Sequence, residues 1–315
     1  MKIVLAEPLG VSSERIAELA KPLVARGHEF VAYDAKASNA AELTARLEGA
    51  EAAIIANSPF YEETAAACGL KYLSVAFTGV DHVAVETLRA KGCRISNCAG
   101  YATEATAELA IALTLDVLRR VTALDHATRA GRGREGFAGG ELRGRKFGVV
   151  GSGAIALRAC SIAKAFGAEL YAYSRSERAE AVAMGVKYLP LDELMSTCDV
   201  ISLHVPATSE TKGMISAEKL ALMKPTAVLI NTARGTIVDN KALADALKSG
   251  AIAGAGIDVY ETEPPIADHP LYACENAVLT PHIGFASEEA MVMRAGMAFD
   301  NVEKWLSGTI QNEVK

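Results

Sequence analysis

Short runs of β-branched and apolar residues alternate along the chain with stretches in which apolar positions return every three or four residues. The first pattern is that of strands buried on both faces, the second that of amphipathic helices, and their alternation predicts parallel sheets with helices on both sides. In the first part, the runs KIVLAE, EFVAY, AAIIA, KYLSVAF and CRIS predict about five strands, with helices over Ser12 to Arg26 and Val83 to Lys91 among the segments between them. A second series, KFGVVG, AELYAYS, VKYLP, DVISLHV, AVLINT, AGAGIDV and NAVLT, starts at Lys146. One long helical pattern, Thr103 to about Arg129, separates the two series, and another, Ala286 to Ser307, closes the chain. The fold class expected is α/β, with two doubly wound parallel-sheet domains.

Composition narrows the function more than the fold. The chain has 315 residues, half of them hydrophobic, enough for two buried cores. A formal net charge of −6 provides no basic field for nucleic acid or anionic lipid, so an anionic ligand has to meet a local cation. The most membrane-like stretch, Ala102 to Leu118, carries Glu104, Glu108 and Asp116 and is not expected to span a bilayer. The start, MKIVLAE, reads as a folded strand and not as a signal, and the six cysteines form no C-x-x-C pair. A cytoplasmic protein without a metal site is expected. The glycine- and arginine-rich segment from Arg129 to Lys146 lacks repeats and has one aromatic residue, Phe137, which favours a surface connection over a nucleic-acid tract.

Candidate chemistry begins with Gly151-Ser152-Gly153-Ala154-Ile155-Ala156, between a predicted strand and a predicted helix, where the dinucleotide fingerprint G-x-G-x-x-G/A belongs. Gly151 allows the tight turn, Gly153 lets the backbone approach a pyrophosphate, and the following helix aims its free N–H groups at the phosphates. The next strand, ELYAY, ends at Ser174-Arg175-Ser176, where an NAD site normally carries an acidic residue for the ribose 2′-hydroxyl. Two hydroxyls and a guanidinium suit a 2′-phosphate instead, and NADP(H) is expected over NAD(H). Arg234 follows the run AVLINTA, Glu263 lies just past GIDVYET, and His282 follows VLTP, so all three stand near carboxyl ends of predicted strands. An arginine to pair with a carboxylate or polarise a carbonyl, a histidine to move a proton and a carboxylate to orient it make a set for reducing a 2-keto acid.

Through GSGAIA, HVPATSETKGMI, LINTARGTIVD, GIDVYETEPP and LTPHIGFAS, in that order, the sequence resembles the D-isomer-specific 2-hydroxyacid dehydrogenase family from about Val75 to the C-terminus. The resemblance implies a Rossmann domain, residues 100–285, inserted into a flavodoxin-like substrate domain, residues 1–99 plus 286–315. It implies Arg234, Glu263 and His282 as the catalytic set, and cofactor contacts from Ala154, Ile155, Ser174 to Ser176, Val205, Pro206, Thr211, Thr232, Ala233 and Asp258. It further implies that Phe77, Thr78 and Gly79 begin a substrate loop whose N–H groups hold the substrate carboxylate opposite Arg234. Phe77 is bulkier than the residue often found there. A homodimer, built on the 102–129 helix and the loop after it, is also implied. Glu263 argues against a formate dehydrogenase, which resembles this family with Gln at that place. The strand end Ile55 to Phe60 lacks the arginine a phosphoglycerate site would want. A small 2-keto or 2-hydroxy acid is the expected substrate, and a non-enzymatic dinucleotide-sensing scaffold of corepressor type is the alternative.

Overall fold

The computed structural model describes residues 1–314, which divide into two compact units, Met1–Ala102 with the segment from Ala286 onward, and Thr103–Phe285. In chain order the first unit contains β1 (Lys2–Leu5), α1 (Ser13–Ala25), β2 (Glu29–Ala32), α2 (Ala40–Arg46), β3 (Ala50–Ile55), α3 (Glu62–Ala67), β4 (Tyr72–Val75), α4 (Val85–Ala90) and β5 (Arg94–Ser96). The second contains α5 (Thr103–Arg119), α6 (Val121–Arg129), β6 (Lys146–Val150), α7 (Ala154–Ala165), β7 (Glu169–Tyr173), α8 (Ala179–Met184), β8 (Lys187–Tyr188), α9 (Leu191–Thr197), β9 (Val200–Leu203), α10 (Ala217–Ala221), β10 (Val228–Asn231), α11 (Asn240–Ser249), β11 (Gly254–Ile257) and β12 (Ala277–Leu279). The last helix, α12 (Glu288–Leu306), returns to the first unit.

Both sheets are wholly parallel, as the continuous apolar runs predict. The first has the order β2-β1-β3-β4-β5, the second β12-β11-β10-β9-β6-β7-β8. In the second unit successive strand residues serve opposite faces. Leu203, Leu229 and Ile257 pack with Leu194, Leu220 and Leu243 on one side, whereas Phe147, Val149 and Ile230 pack with the alanines of α5 and α7 on the other. In the first unit α12 lies along its own sheet: Phe299 meets Phe30, Trp305 stacks on Tyr72 at 4.9 Å, and Ser74 Oγ donates to the Ala298 carbonyl at 2.9 Å.

Two expectations need correction. The long helix over 103–129 is broken at Arg120, whose φ of 51° lies in the left-handed region. Across the break the Asp116 carboxylate accepts from Thr122 N at 2.9 Å and Thr122 Oγ1 at 2.5 Å, which satisfies one of the free amides in the first turn of the new helix. α6 buries none of its residues. The run VKYLP yields only Lys187–Tyr188 as a strand.

The arginine-rich segment is an exposed connection, with Arg120 over the Phe137 ring. All six cysteines are free and buried, and burial pushes the thiols of Cys93, Cys98, Cys160 and Cys198 up to about 12. Among the described residues, no helix is long and apolar enough to cross a membrane, and no group of His, Cys, Asp or Glu could hold a metal ion.

Candidate active site

In the second unit the strand order reverses between β6 and β9, and the loops leaving these strands diverge into a crevice, the place where ligands bind in open α/β sheets. Gly151 ends β6 at φ 101°, its N–H bonded to the Tyr173 carbonyl at 2.7 Å. A Cβ here would stand 2.6 Å from the His204 carbonyl oxygen, so only glycine lets the two loops approach. Gly153 caps α7 with no side-chain bond, and the space above its Cα is open. Uncovered amides at the start of a three-turn helix are the donors a pyrophosphate needs. The buried Thr232 hydroxyl, at the end of β10, has no protein partner and offers a further donor. These features fit a dinucleotide.

The crevice opens into a cleft of about 440 Å³. Of the residues expected to touch a cofactor, Gly151, Ser152, Gly153, Ser174, Arg175, Ser176, Val205, Pro206 and Thr211 line it; Ala154, Ile155, Thr232, Ala233 and Asp258 do not. Ser152 and Ser174 share a hydrogen bond of 3.0 Å across the loop. The sequence reading missed Tyr173, Arg178, His204, Thr208, Glu210 and Met214, which line the same cleft. Arg178 was signalled by its place three residues after Arg175. Glu210 pairs with Arg175 at 3.4 Å, both side chains being largely exposed, so the pair contributes little and is easily exchanged for a stronger anion. Burial lowers the His204 pKa to about 4, which keeps it neutral beside the Ser202 hydroxyl at 2.9 Å.

Farther along the same sheet edge stand the three candidate reactive residues. His282 Nδ1 meets Glu263 Oε2 at 2.5 Å, and the Tyr260 N–H donates to Glu263 Oε1 at 3.2 Å. Burial raises the Glu263 pKa, but bonding and charge from His282, the Tyr260 amide and the charge of Arg234 outweigh it, and the carboxyl is held below its ordinary value. Arg234 is positioned through its own backbone: Asn231 Nδ2 donates to the Arg234 carbonyl at 2.9 Å while Asn231 Oδ1 accepts from Ala233 N at 3.0 Å. The next residue, Gly235, lies so close to Tyr260 that a Cβ would be 2.0 Å from its carbonyl carbon. That approach joins the Arg234 loop to the Glu263 loop, and periodicity gave no sign of it.

Asp258 is fully buried, and its carboxylate accepts from Thr280 Oγ1 at 2.6 Å, Ile283 N at 2.8 Å and Gly284 N at 2.8 Å. Burial raises its pKa, with these three bonds acting against the shift. The three bonds brace His282, whose φ of 54° costs a non-glycine residue about 1 kcal/mol. In the first unit, Phe77 turns its ring inward, 8% exposed, against His82 and Tyr101, and Asn97 Nδ2 bonds the Thr78 carbonyl at 2.8 Å. Thr78 is exposed and Gly79 half-buried.

The sequence profile of the NAD binding domain of D-isomer specific 2-hydroxyacid dehydrogenases matches residues 111–284. The glyoxylate reductase of Aeropyrum pernix is 40% identical over 250 residues, 76% of this chain and 75% of its own. The hydroxypyruvate reductase of Blautia hydrogenotrophica is 32% identical over 295 residues, 91% of this chain and 92% of its own. Among solved structures, an acyclic imino acid reductase in complex with NADPH and D-Arg superposes with a TM-score of 0.90 at 30% identity, covering 100% of both chains.

Proposed function

The chain belongs to the D-isomer specific 2-hydroxyacid dehydrogenase family and is an oxidoreductase of 2-hydroxyacids that works with a nicotinamide dinucleotide; on that premise we propose that it reduces a small 2-keto acid with NADPH. The observation that carries the reading is the 2.5 Å bond between His282 and Glu263, on the sheet edge that also bears Arg234. With Nδ1 engaged by the carboxylate, Nε2 is the nitrogen that gives its proton to the carbonyl oxygen and takes it back in the reverse direction. Glu263 fixes the plane of the ring. Arg234 pairs with the substrate carboxylate or polarises the carbonyl, and Phe77, Thr78 and Gly79 are proposed, on the family resemblance, as the substrate loop. The bound dinucleotide supplies the hydride. Gly151 to Ile155, Val205, Pro206, Thr211, Thr232, Ala233 and Asp258 are the residues proposed to hold it.

The preference for NADPH is supported by the absence of a carboxylate at the end of β7 and by Arg175 and Arg178 in one cleft with Ser174 and Ser176. A 2′-phosphate would draw Arg175 away from Glu210, and charge-assisted bonds to a dianion exceed an exposed ion pair. Glyoxylate and hydroxypyruvate are the proposed substrates, supported by the activities for which the two relatives are named. A homodimer is supported by α6, an amphipathic helix that buries nothing in its own chain.

The test is a panel of 2-keto acids with NADPH, read as loss of the reduced-nicotinamide absorbance, alongside His282→Ala. Turnover with glyoxylate or hydroxypyruvate, and a fall of about 10²- to 10⁴-fold in the variant, is the expected result. Silence across the panel would overturn the reading in favour of a non-enzymatic scaffold.

A further inference from the structure

Glu263 belongs to an exposed stretch whose two ends are tied by a pair of side chains that the reaction does not use. The carboxylate of Glu261 reaches His269 Nε2 at 3.2 Å. His269 is 5% exposed, although Ile266, between the two, is 55% exposed. The backbone N–H of Leu271 approaches Nδ1 of the same ring at 3.4 Å. An amide can only donate, so Nδ1 accepts and the ring proton sits on Nε2, facing Glu261. Burial raises the Glu261 pKa, yet the Asn240 side chain, the residue's own backbone N–H and then His269 outweigh it and hold the carboxyl below its ordinary value. The ring is packed edge-on against Tyr260, at 5.3 Å and 88°, and tilted against Tyr272 at 5.6 Å.

Tyr260 connects this pair to the chemistry. Its N–H donates to Glu263 Oε1 at 3.2 Å, and its hydroxyl donates to the Thr280 carbonyl at 3.2 Å, two residues before His282. One residue, through its backbone N–H on one side and its hydroxyl on the other, thus steadies the segments that carry both partners of the His282–Glu263 bond, and His269 braces its ring from the side. We propose that Glu261 and His269 are positioning residues, a clasp that closes the Glu263 loop and, through Tyr260, holds the carboxylate in line with the His282 imidazole. This rests on the reading of Glu263 and His282 as the acid–base pair. A loop that is open to solvent along most of its length needs such a closure, because reacting groups must be held to a fraction of an ångström.

The experiment compares Glu261→Ala, Glu261→Gln, His269→Ala and His269→Gln in the full chain. The alanine variants lower kcat for the keto acid by roughly ten- to hundredfold while the NADPH Kd stays at the wild-type value. They also raise the primary isotope effect seen with NADPH deuterated at the transferred position, since proton and hydride transfer become rate-limiting. His269→Gln, which presents an N–H to Glu261, and Glu261→Gln, which still accepts one, recover most of the loss. Glu261 lies at the surface, so its two variants keep the test open should His269→Ala fail to fold. Wild-type kcat and isotope effect in folded Glu261→Ala overturn the clasp. His282→Asn is run in parallel: if it keeps full turnover, the acid–base reading fails, whereas an inactive His282→Asn beside a wild-type Glu261→Ala removes the clasp alone.

Discussion

Replacing Gly235 by alanine tests whether the Arg234 and Glu263 loops are held in one piece. The added Cβ would lie 2.0 Å from the Tyr260 carbonyl carbon, 2.3 Å from its oxygen and 2.4 Å from its Cα, all backbone atoms that no rotamer change can move aside. Reaching ordinary contact near 3.4 Å requires the two segments to part by about 1.4 Å. Overpacking of this kind costs about 1–3 kcal/mol, and losing the bond from the Tyr260 N–H to Glu263 adds about 1 kcal/mol. Catalysis should suffer more, because a displacement of about 1 Å at the reacting groups costs on the order of 10²-fold. Urea unfolding reads the first quantity and steady-state turnover at saturating cofactor the second. Wild-type turnover together with wild-type unfolding free energy would show that the loops part freely, and the account of how Arg234 is placed beside Glu263 would fall.

Two further expectations use the cofactor cleft. Ser174→Asp puts a carboxylate at the end of β7, where repulsion of even a third of the roughly 4 kcal/mol between unit charges at about 4 Å amounts to about tenfold. The NADPH/NADH ratio of kcat/KM should fall by at least that factor, and an unchanged ratio refutes the ribose-site reading. His204 has a pKa of about 4 in the folded chain against a reference of 6.5, so the unfolded chain takes up a proton that the folded chain refuses. Its contribution to stability is present above pH 6.5 and is lost as pH falls toward 4, with about 2 kcal/mol gone by about pH 5. His204→Gln should flatten the pH dependence of urea unfolding by that amount, and identical profiles would count against a half-buried neutral imidazole.

Much of this architecture was written in short-range pattern. Strands buried on both faces show as continuous apolar runs, and a glycine loop between strand and helix identifies the crevice. Arg234, Glu263 and His282 were visible because strand ends are where an open sheet works. Contacts between distant segments were not visible. Nothing in the periodicity of 103–129 marks Arg120 as a break, with Asp116 bonding to Thr122 across it. Gly235 looks like any loop glycine until Tyr260 is laid against it. Glu210 enters the cleft from a separate segment, and only the folded backbone brings it beside Arg175. Asp258 was legible only as a candidate cofactor contact; that its carboxylate also accepts from Thr280, Ile283 and Gly284, and so braces His282 in an uncommon backbone conformation, shows only in the fold.

The buried cysteines lead elsewhere. Three of them, Cys68, Cys93 and Cys98, lie in the first unit, and three, Cys160, Cys198 and Cys274, in the second. A thiol held near 12 is ionised to only about one part in 10⁴ at pH 8, and thiolate is the species that alkylating reagents capture. Modification of these four thiols therefore waits on local opening, and the chain carries its own set of clocks, two timing the breathing of each unit: Cys93 and Cys98 in the first, Cys160 and Cys198 in the second. Ligand that stabilises one unit slows that unit's clocks.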